Sequence, residues 1–266
     1  MRIATWNINS LRARMDRVLA FLERHDIDAL ALQEIKARPD QLDLSALEDA
    51  GYEVAAHGLN QWNGVALISR VGLADVRDQM EGVPSWPDEE SGVIEARMLS
   101  AVVGDGLRLW SLYVPNGREI DHPHYDYKLR WLETVRAEGA RALAADADTR
   151  TVFAGDFNVA PEDEDVWSME FFEGKTHVTA PERAAFQAIV DAGYADLTRE
   201  YTPGPGVYTY WDYQQLRFPK REGMRIDFAL GSPAVQAAVT DARIDREERK
   251  GKGASDHAPV IVDLEL

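Results

Sequence analysis

The chain has 266 residues, no cysteine and a formal net charge of -17 at neutral pH. The missing thiols exclude disulfides and thiolate metal sites and fit a cytoplasmic location, while the acidic balance opposes polyphosphate binding except through a local basic patch. No signal-peptide pattern opens the sequence and no run reaches membrane-span length, so we expect one large, monomeric α/β domain with no membrane partner.

Residues 3–8 read as a strand that runs into Asn7 and Asn9. Ser10 then stands where it can cap a helix whose Leu11, Met15, Val18, Leu19 and Leu22 fall on one face. Residues 27–32 form a second apolar strand ending in Gln33-Glu34. This β-α-β opening leaves Asn7 and Glu34 at strand ends, where α/β sheets present their ligands. Residues 64–69 are another buried strand, and residues 92–98 and 107–114 read as a pair around the Gly104-Asp105-Gly106 turn. The second of the pair ends in Tyr113-Val114-Pro115-Asn116-Gly117, where a phenol can donate to an anion. A helix is predicted over residues 127–145, with Leu129, Leu132, Val135 and Leu143 inward.

The stretch Thr151 to Pro161 organises the rest. Its apolar start reads as a buried strand broken at Gly155, with Asp156 and Asn158 two residues apart and so pointing the same way off the sheet. Alone this reads more readily as an Asx turn closing an ordinary strand than as a catalytic pair. Thr179-Ala180-Pro181-Glu182 has capping-box spacing and starts a helix that stops at Gly193. An aromatic run, Tyr208 to Tyr213, precedes a basic segment with Arg217, Lys220 and Arg221. Asp227 lies within the apolar strand 225–231, a costly place for a carboxylate without a partner. In Ser255-Asp256-His257 the polar residues come before the last strand, 260–264, instead of after it. If all these clusters share one rim, that strand runs against the others, which requires mixed or antiparallel sheets. No internal repeat stands out.

Collected, the strand-end residues are Asn7, Glu34, Tyr113, Asn116, Asp156, Asn158, Asp227, Asp256 and His257. Oxygen donors with a single histidine and no thiol favour a hard cation, Mg²⁺ or Mn²⁺. A hard cation neutralises phosphate charge, neutral donors hold phosphate oxygens and a carboxylate prepares water, so the set suits hydrolysis at phosphorus.

At this point the blocks Trp6-Asn7-Ile8-Asn9 with Leu11-Arg12-Ala13-Arg14, Leu32-Gln33-Glu34-Ile35-Lys36, Gly64-Val65-Ala66, Tyr113 to Gly117, Gly155-Asp156-Phe157-Asn158, Arg225-Ile226-Asp227 and Ser255 to Pro259 resemble the exonuclease III-type AP endonucleases, in that family's order and over nearly the whole chain. The resemblance implies a four-layer α/β sandwich, two mixed β-sheets packed face to face and flanked by helices. It also implies Mg²⁺-dependent incision 5′ to abasic sites, trimming of blocked 3′ ends and 3′→5′ exonuclease action on duplex DNA. By the same resemblance Glu34 is the main metal ligand, Asn7 orients the site, and Asn9 and Asp256 mark a second or alternative metal position. Asp156 prepares the water, Asn158 holds water or phosphate, His257 with Asp227 behind it bonds the scissile phosphate, and Tyr113 contacts the phosphate or leaving group. Tyr210, Trp211 and Met224 match an apolar pocket for a base-less sugar, and Arg118 is placed for contact at the lesion beside Asn116. Arg12, Arg14, Lys36, Lys128, Arg217, Lys220, Arg221, Lys250 and Lys252 are candidate phosphate contacts. Two departures stand out: residues 58–64 lack the lysine often found in this loop, and Ile35 replaces a threonine. Competing readings are a phosphoesterase acting on a small phosphoester and a non-catalytic relative that binds RNA or protein.

Overall fold

A computed structural model describes residues 1–87 and 89–266. Twelve strands run through it: β1 (Arg2–Asn7), β2 (Ala29–Gln33), β3 (Glu53–His57), β4 (Val65–Ser69), β5 (Ala74–Arg77), β6 (Met98–Val103), β7 (Leu107–Tyr113), β8 (Thr151–Asp156), β9 (Ala195–Asp196), β10 (Asp227–Gly231), β11 (Val239–Ile244) and β12 (Val260–Leu264). The helices are α1 (Leu11–His25), α2 (Ser45–Asp49), α3 (Pro123–Ala145), α4 (Met169–Phe172), α5 (Ala180–Asp191), α6 (Arg217–Lys220) and α7 (Pro233–Gln236).

The strands form two six-stranded sheets, ordered β11-β12-β1-β2-β4-β3 and β5-β6-β7-β8-β10-β9. Each has one parallel pair at its centre, β1 with β2 and β7 with β8, and antiparallel neighbours elsewhere. The sheets are therefore mixed, and the last strand β12 runs antiparallel to β1, as the position of the Ser-Asp-His block required.

Side-chain alternation explains the layers. Ile3, Ala29, Ala31, Leu107, Leu109, Val152, Ala154 and Ala229 point between the sheets and form one core. Trp6, Leu30 and Leu32 point the other way and pack under α1 with Val18, Phe21 and Leu22. On the far side Trp110, Phe153 and Phe228 pack against Trp131 and Val135 of α3 and Phe186 and Ile189 of α5. Strands buried on both faces read as near-continuous apolar runs, and at ~25 cal/mol per Å² of apolar surface such layers supply the main driving force for folding.

The inward-facing rows change character along their length. In steps of two residues they read Ile3, Thr5, Asn7; Ala29, Ala31, Gln33; Leu109, Ser111, Tyr113; Val152, Ala154, Asp156; and, in reverse, Ala229, Asp227. Because every second residue shares a face, all five rows turn polar at the same end of the sandwich. Beneath that end Gln33 Nε2 donates to Thr5 Oγ1 (3.0 Å) and to Ser111 Oγ (2.9 Å), while Ser111 Oγ donates to the Leu32 carbonyl (2.8 Å). Buried polar groups are thus paired across the two sheets.

Several expectations need correction. β8 is not broken at Gly155 but continues through it to Asp156. Gly155 has φ +150°, and a Cβ there would lie 1.9 Å from the Leu112 carbonyl oxygen, so only glycine lets β7 and β8 approach. Residues 92–97 are not a strand; β6 begins at Met98, where the sheet alternation begins. α3 starts four residues before the predicted Tyr127, because Pro123 occupies its first turn and the His122 ring accepts from the His124 amide. Ser10 precedes α1 without a side-chain cap bond; its backbone amide instead donates to the Glu34 carbonyl at 2.7 Å. Thr179 and Glu182 do form the capping box of α5. The shared strand order of the two sheets is an architectural repeat without a sequence repeat.

Candidate active site

The polar ends of the two sheets meet. Asn7 Nδ2 donates both to Glu34 Oε1 (2.8 Å) and to Asp156 Oδ2 (3.0 Å), so one carboxamide from the first sheet spans to the second. Asp156 pairs in register with Tyr113 on one side and Asp227 on the other. His257 reaches in from the segment before β12, held by its amide on Ser255 Oγ (3.2 Å), while Ser255 Oγ donates to the Asn7 carbonyl (2.7 Å). Its Nδ1 lies 2.8 Å from Asp227 Oδ2 and its Nε2 3.8 Å from Asp156 Oδ2.

Backbone conformation at this mouth is tight. Asn9, Glu34, Lys36, Arg118 and Asn158 all have φ between +47° and +57°. Left-handed conformations are uncommon for residues other than glycine and concentrate where function overrides local preference. At Asn158 the backbone amide closes an Asx turn on Asp156 Oδ1 (2.9 Å), so the turn reading of the Asp-x-Asn pair holds. Asn158 Nδ2 donates to the Val114 carbonyl (2.9 Å) and its Oδ1 faces His177 Nε2 (3.1 Å).

Crowding of charge sets the protonation behaviour. Burial, then Asp227 and Glu34, push the Asp156 carboxyl up to about 8, with His257 and Asn7 pulling the other way. Burial disfavours an imidazolium at His257, but the Asp227 charge and hydrogen bond, with Asp156 and Asp256, outweigh it and raise the ring to about 10. Glu34 is also penalised by burial, yet Lys36 and the Asn7 bond hold it below the usual carboxylate range. Burial and the Glu34 charge raise the Tyr113 phenol well above its usual value, so it remains a donor. The Arg97 guanidinium lies 4.8 Å over its ring.

Glu34, Asp156 and His257 each offer a ligand atom within 4.8 Å of the others. Lys36 Nζ sits 2.8 Å from Glu34 Oε2 and 2.5 Å from Asn9 Oδ1, an ammonium where the donors favour positive charge. One Asp227 oxygen, Oδ1, is buried with no hydrogen-bond partner among the described residues. An oxygen-rich, anionic cluster of this kind fits a hard divalent cation. Asn9 and Asp256 lie beside this cluster and bond to each other, Nδ2 to Oδ1 at 3.0 Å. A second grouping, His25, Asp245 and Glu248, lies away from this mouth, and Arg24 and Arg17 pair with its Glu248.

A cavity of about 210 Å³ opens next to the site, lined by Trp167, Phe171, Phe172, Tyr210 and Met224. The Tyr210 ring lies 4.9 Å from that of His257. Trp211 does not line this cavity: it is 1% exposed and packs with Tyr208 and Ala258, facing away because adjacent residues on extended chain alternate. The indole at the cavity is Trp167.

The basic residues divide. Arg12, Arg118, Lys220, Arg221 and Lys252 are exposed, as is Asn116, whose Oδ1 accepts from the Arg118 amide. Lys250 pairs with Glu247. Arg217 pairs with Glu222 and covers the Trp167 ring at 4.9 Å. Arg14 is tied to Gly253 O (2.9 Å), Tyr213 Oη (3.0 Å) and the Asn9 carbonyl, joining α1 to the loop before Ser255. Lys128 cannot touch a phosphate, since its side chain is fully buried against Glu182. Sequence reasoning also missed His177, a loop residue whose surrounding sequence carries no motif.

Residues 4–257 match the Endonuclease/Exonuclease/phosphatase family. The chain belongs to that family. A Neisseria 3′ phosphatase structure bound to product DNA hairpin is 34% identical, with a TM-score of 0.92 and full coverage of both chains. An AP endonuclease structure from Archaeoglobus fulgidus is 30% identical, TM-score 0.91, again over both chains in full. Exodeoxyribonuclease III of Haemophilus influenzae is 28% identical over 272 residues, 98% of each chain. The protein is an enzyme of the exodeoxyribonuclease III and AP endonuclease type, and its two mixed sheets with flanking helices are that family's fold. No helix among the described residues is long and apolar enough to cross a membrane.

Proposed function

We propose that this chain is a Mg²⁺-dependent DNA-repair phosphoesterase, with Mn²⁺ able to substitute. It removes blocking groups and nucleotides from 3′ ends of duplex DNA and incises 5′ to abasic sites, acting as a monomer in the cytoplasm. The observation that carries the reading is the Asn7 carboxamide bonded to both Glu34 and Asp156, with the His257–Asp227 pair within reach of the same carboxylate. The likeness to a 3′ phosphatase and to an AP endonuclease supports both kinds of DNA substrate.

Glu34, with Asp156 next to it and Asn9 and Asp256 at the rim, would hold the cation; when bound, it supplies charge neutralisation at the phosphate. Asp156, buried and basic for a carboxylate, accepts the proton of the attacking water. His257 keeps its Nδ1–H on Asp227 and presents Nε2–H to a phosphate oxygen. The Tyr113 hydroxyl donates to a phosphate or leaving-group oxygen, and Asn7 holds Glu34 and Asp156 at fixed separation. The cavity under Tyr210, Trp167 and Met224 admits a sugar without its base. Arg118, Arg12 and Arg221 provide the local positive charge that a strongly acidic chain needs for DNA.

The test is a gel assay on three duplexes, carrying a 3′-phosphate, a plain 3′-hydroxyl and an internal abasic analogue, each with Mg²⁺ and with EDTA. Cleavage that needs Mg²⁺ on at least the first is expected. Cleavage indifferent to EDTA, or faster on a soluble phosphomonoester than on any duplex, overturns the reading.

A further inference from the structure

One buried ion pair lies behind the site and takes no part in the chemistry above. Lys128 of α3 and Glu182 of α5 are both fully buried. A buried pair is a poor source of stability, because desolvating two charges offsets their attraction. Its bonds suggest another use. Besides the carboxylate, Lys128 Nζ donates to the Asn158 carbonyl at 2.6 Å and reaches the Asn116 carbonyl at 3.4 Å. Glu182 Oε1 accepts from the His177 amide at 2.9 Å, and Oε2 from the Thr179 amide and hydroxyl at 3.1 and 2.7 Å. His177 in turn places its Nε2 on the Asn158 carboxamide oxygen, and its carbonyl accepts from the Ala160 amide at 2.8 Å. Asn158 is therefore gripped twice, at its backbone by Lys128 and at its side chain through a loop that Glu182 anchors. The Asn116–Arg118 turn rests on the same lysine: Gly117 has φ +88°, and a Cβ there would lie 3.3 Å from Lys128 Cδ and from Thr176 Cγ2.

We propose that Lys128 and Glu182 are positioning residues, whose buried pair sets the Asn158 carboxamide in the phosphoester-cleaving site and joins it to the Asn116–Arg118 turn. The inference rests on the function proposed above. Charges are suited to this task because one ammonium can hold two carbonyls and a carboxylate from three separate segments at once, which no apolar side chain of the same volume can do.

Removing one partner alone strands a buried charge, so the informative variant is the double substitution Lys128→Met with Glu182→Gln. Glutamine keeps one acceptor oxygen, enough for the capping-box bond from the Thr179 amide while the His177 amide loses its acceptor, and loss of both charges together avoids the unpaired-ion penalty. On a 3′-phosphate duplex with saturating Mg²⁺ we expect a cooperative melt close to that of the parent and an unchanged KM. The kcat is expected to fall on the order of tenfold or more, as a displaced catalytic group costs. Asn158→Ala should cost much less in this background than in the parent, because the two changes act through one group. Should the double variant lose its cooperative melt, Glu182→Asp, which keeps both charges but shortens the reach to the His177 and Thr179 amides, is read by the same two criteria. An unchanged kcat, or an Asn158→Ala penalty equal in both backgrounds, overturns the positioning role while leaving the proposed function intact. A parent enzyme inactive on the duplex overturns both.

Discussion

The imidazole of His257 stands between two carboxylates from adjacent strands, 2.8 Å from Asp227 and 3.8 Å from Asp156. Asp227 is buried and makes no other hydrogen bond through Oδ2, so its charge serves to hold the ring as an Nδ1–H donor. Replacing it by asparagine preserves shape but no longer favours the imidazolium. We expect Asp227→Asn to lower kcat by roughly 10²–10³, the scale of lost acid–base assistance, with KM little changed. A variant with parental kcat would show that the Asp227 charge plays no part in how His257 serves the reaction.

Asp156 and His257 also fix how stability should depend on pH in cation-free protein. Asp156 titrates at about 8 in the fold against 3.8 in the open chain, and His257 at about 10 against 6.5. Both bind protons more tightly when folded, so their contribution is present at low pH and lost as pH rises through the folded values. His124 and His177 act oppositely: burial lowers each to about 4, so their contribution is lost as pH falls below 6.5. The melting temperature in EDTA should peak near neutrality and decline toward pH 9. Asp156→Asn should flatten that decline while abolishing cleavage, and calorimetry or circular dichroism across pH checks both.

Mg²⁺ should reverse the alkaline loss. A cation favours the ionised form of Asp156, so binding near pH 7 releases a proton. The thermal upshift given by Mg²⁺ should then be larger at pH 8.5 than at pH 6. Proton release is measured by titration calorimetry in buffers of different ionisation enthalpy, and a buffer-independent heat would exclude Asp156 from the metal's surroundings.

Lys36 predicts a competition. Its ammonium lies on Glu34 Oε2 and Asn9 Oδ1, where a divalent ion would find its oxygens. Lys36→Ala should therefore bind Mn²⁺, followed by electron paramagnetic resonance, several-fold more tightly than the parent. Weaker binding would mean that Lys36 turns the ligands toward the ion instead of competing with it.

The two tryptophans near the cavity beside Tyr210 should separate stability from specificity. Trp211→Ala empties a fully buried volume and should cost about 3–5 kcal/mol. Trp167→Ala, at the half-buried cavity wall, should leave the melt near the parent but raise KM for an abasic duplex. Equal effects of the two on the melt would place Trp167 in the core as well.

The site was legible where residue chemistry contradicts its surroundings. Asp227 inside an apolar strand demanded a partner, and His257 is it. The reversed order of Ser255-Asp256-His257 before its strand demanded an antiparallel β12, which the sheet contains. What stayed hidden depends on direction in space. Trp211 and Tyr210 are neighbours with opposite facings, and composition does not tell which faces the cavity. Lys128 reads as a surface cation because its partner Glu182 lies 54 residues away, and the periodicity that turns Leu132 and Val135 inward misplaces Leu129, which is half-exposed while Lys128 takes the buried place. Strands β3, β5 and β11 went unpredicted: most of their residues are exposed or half-buried, so they lack the apolar run that marks the central ones.

Both sheets build their centres alike: a parallel pair flanked on both sides by antiparallel strands. In that scheme Asn7 of β1 corresponds to Tyr113 of β7, and Gln33 of β2 to Asp156 of β8. Equivalent places thus carry different side chains, and on the function proposed above one half would supply the cation's anchor beyond Gln33 and the other the base at Asp156. Neither half is sufficient by itself, so a slip of one layer across the other by a fraction of an ångström would detune the reaction before it loosened the fold.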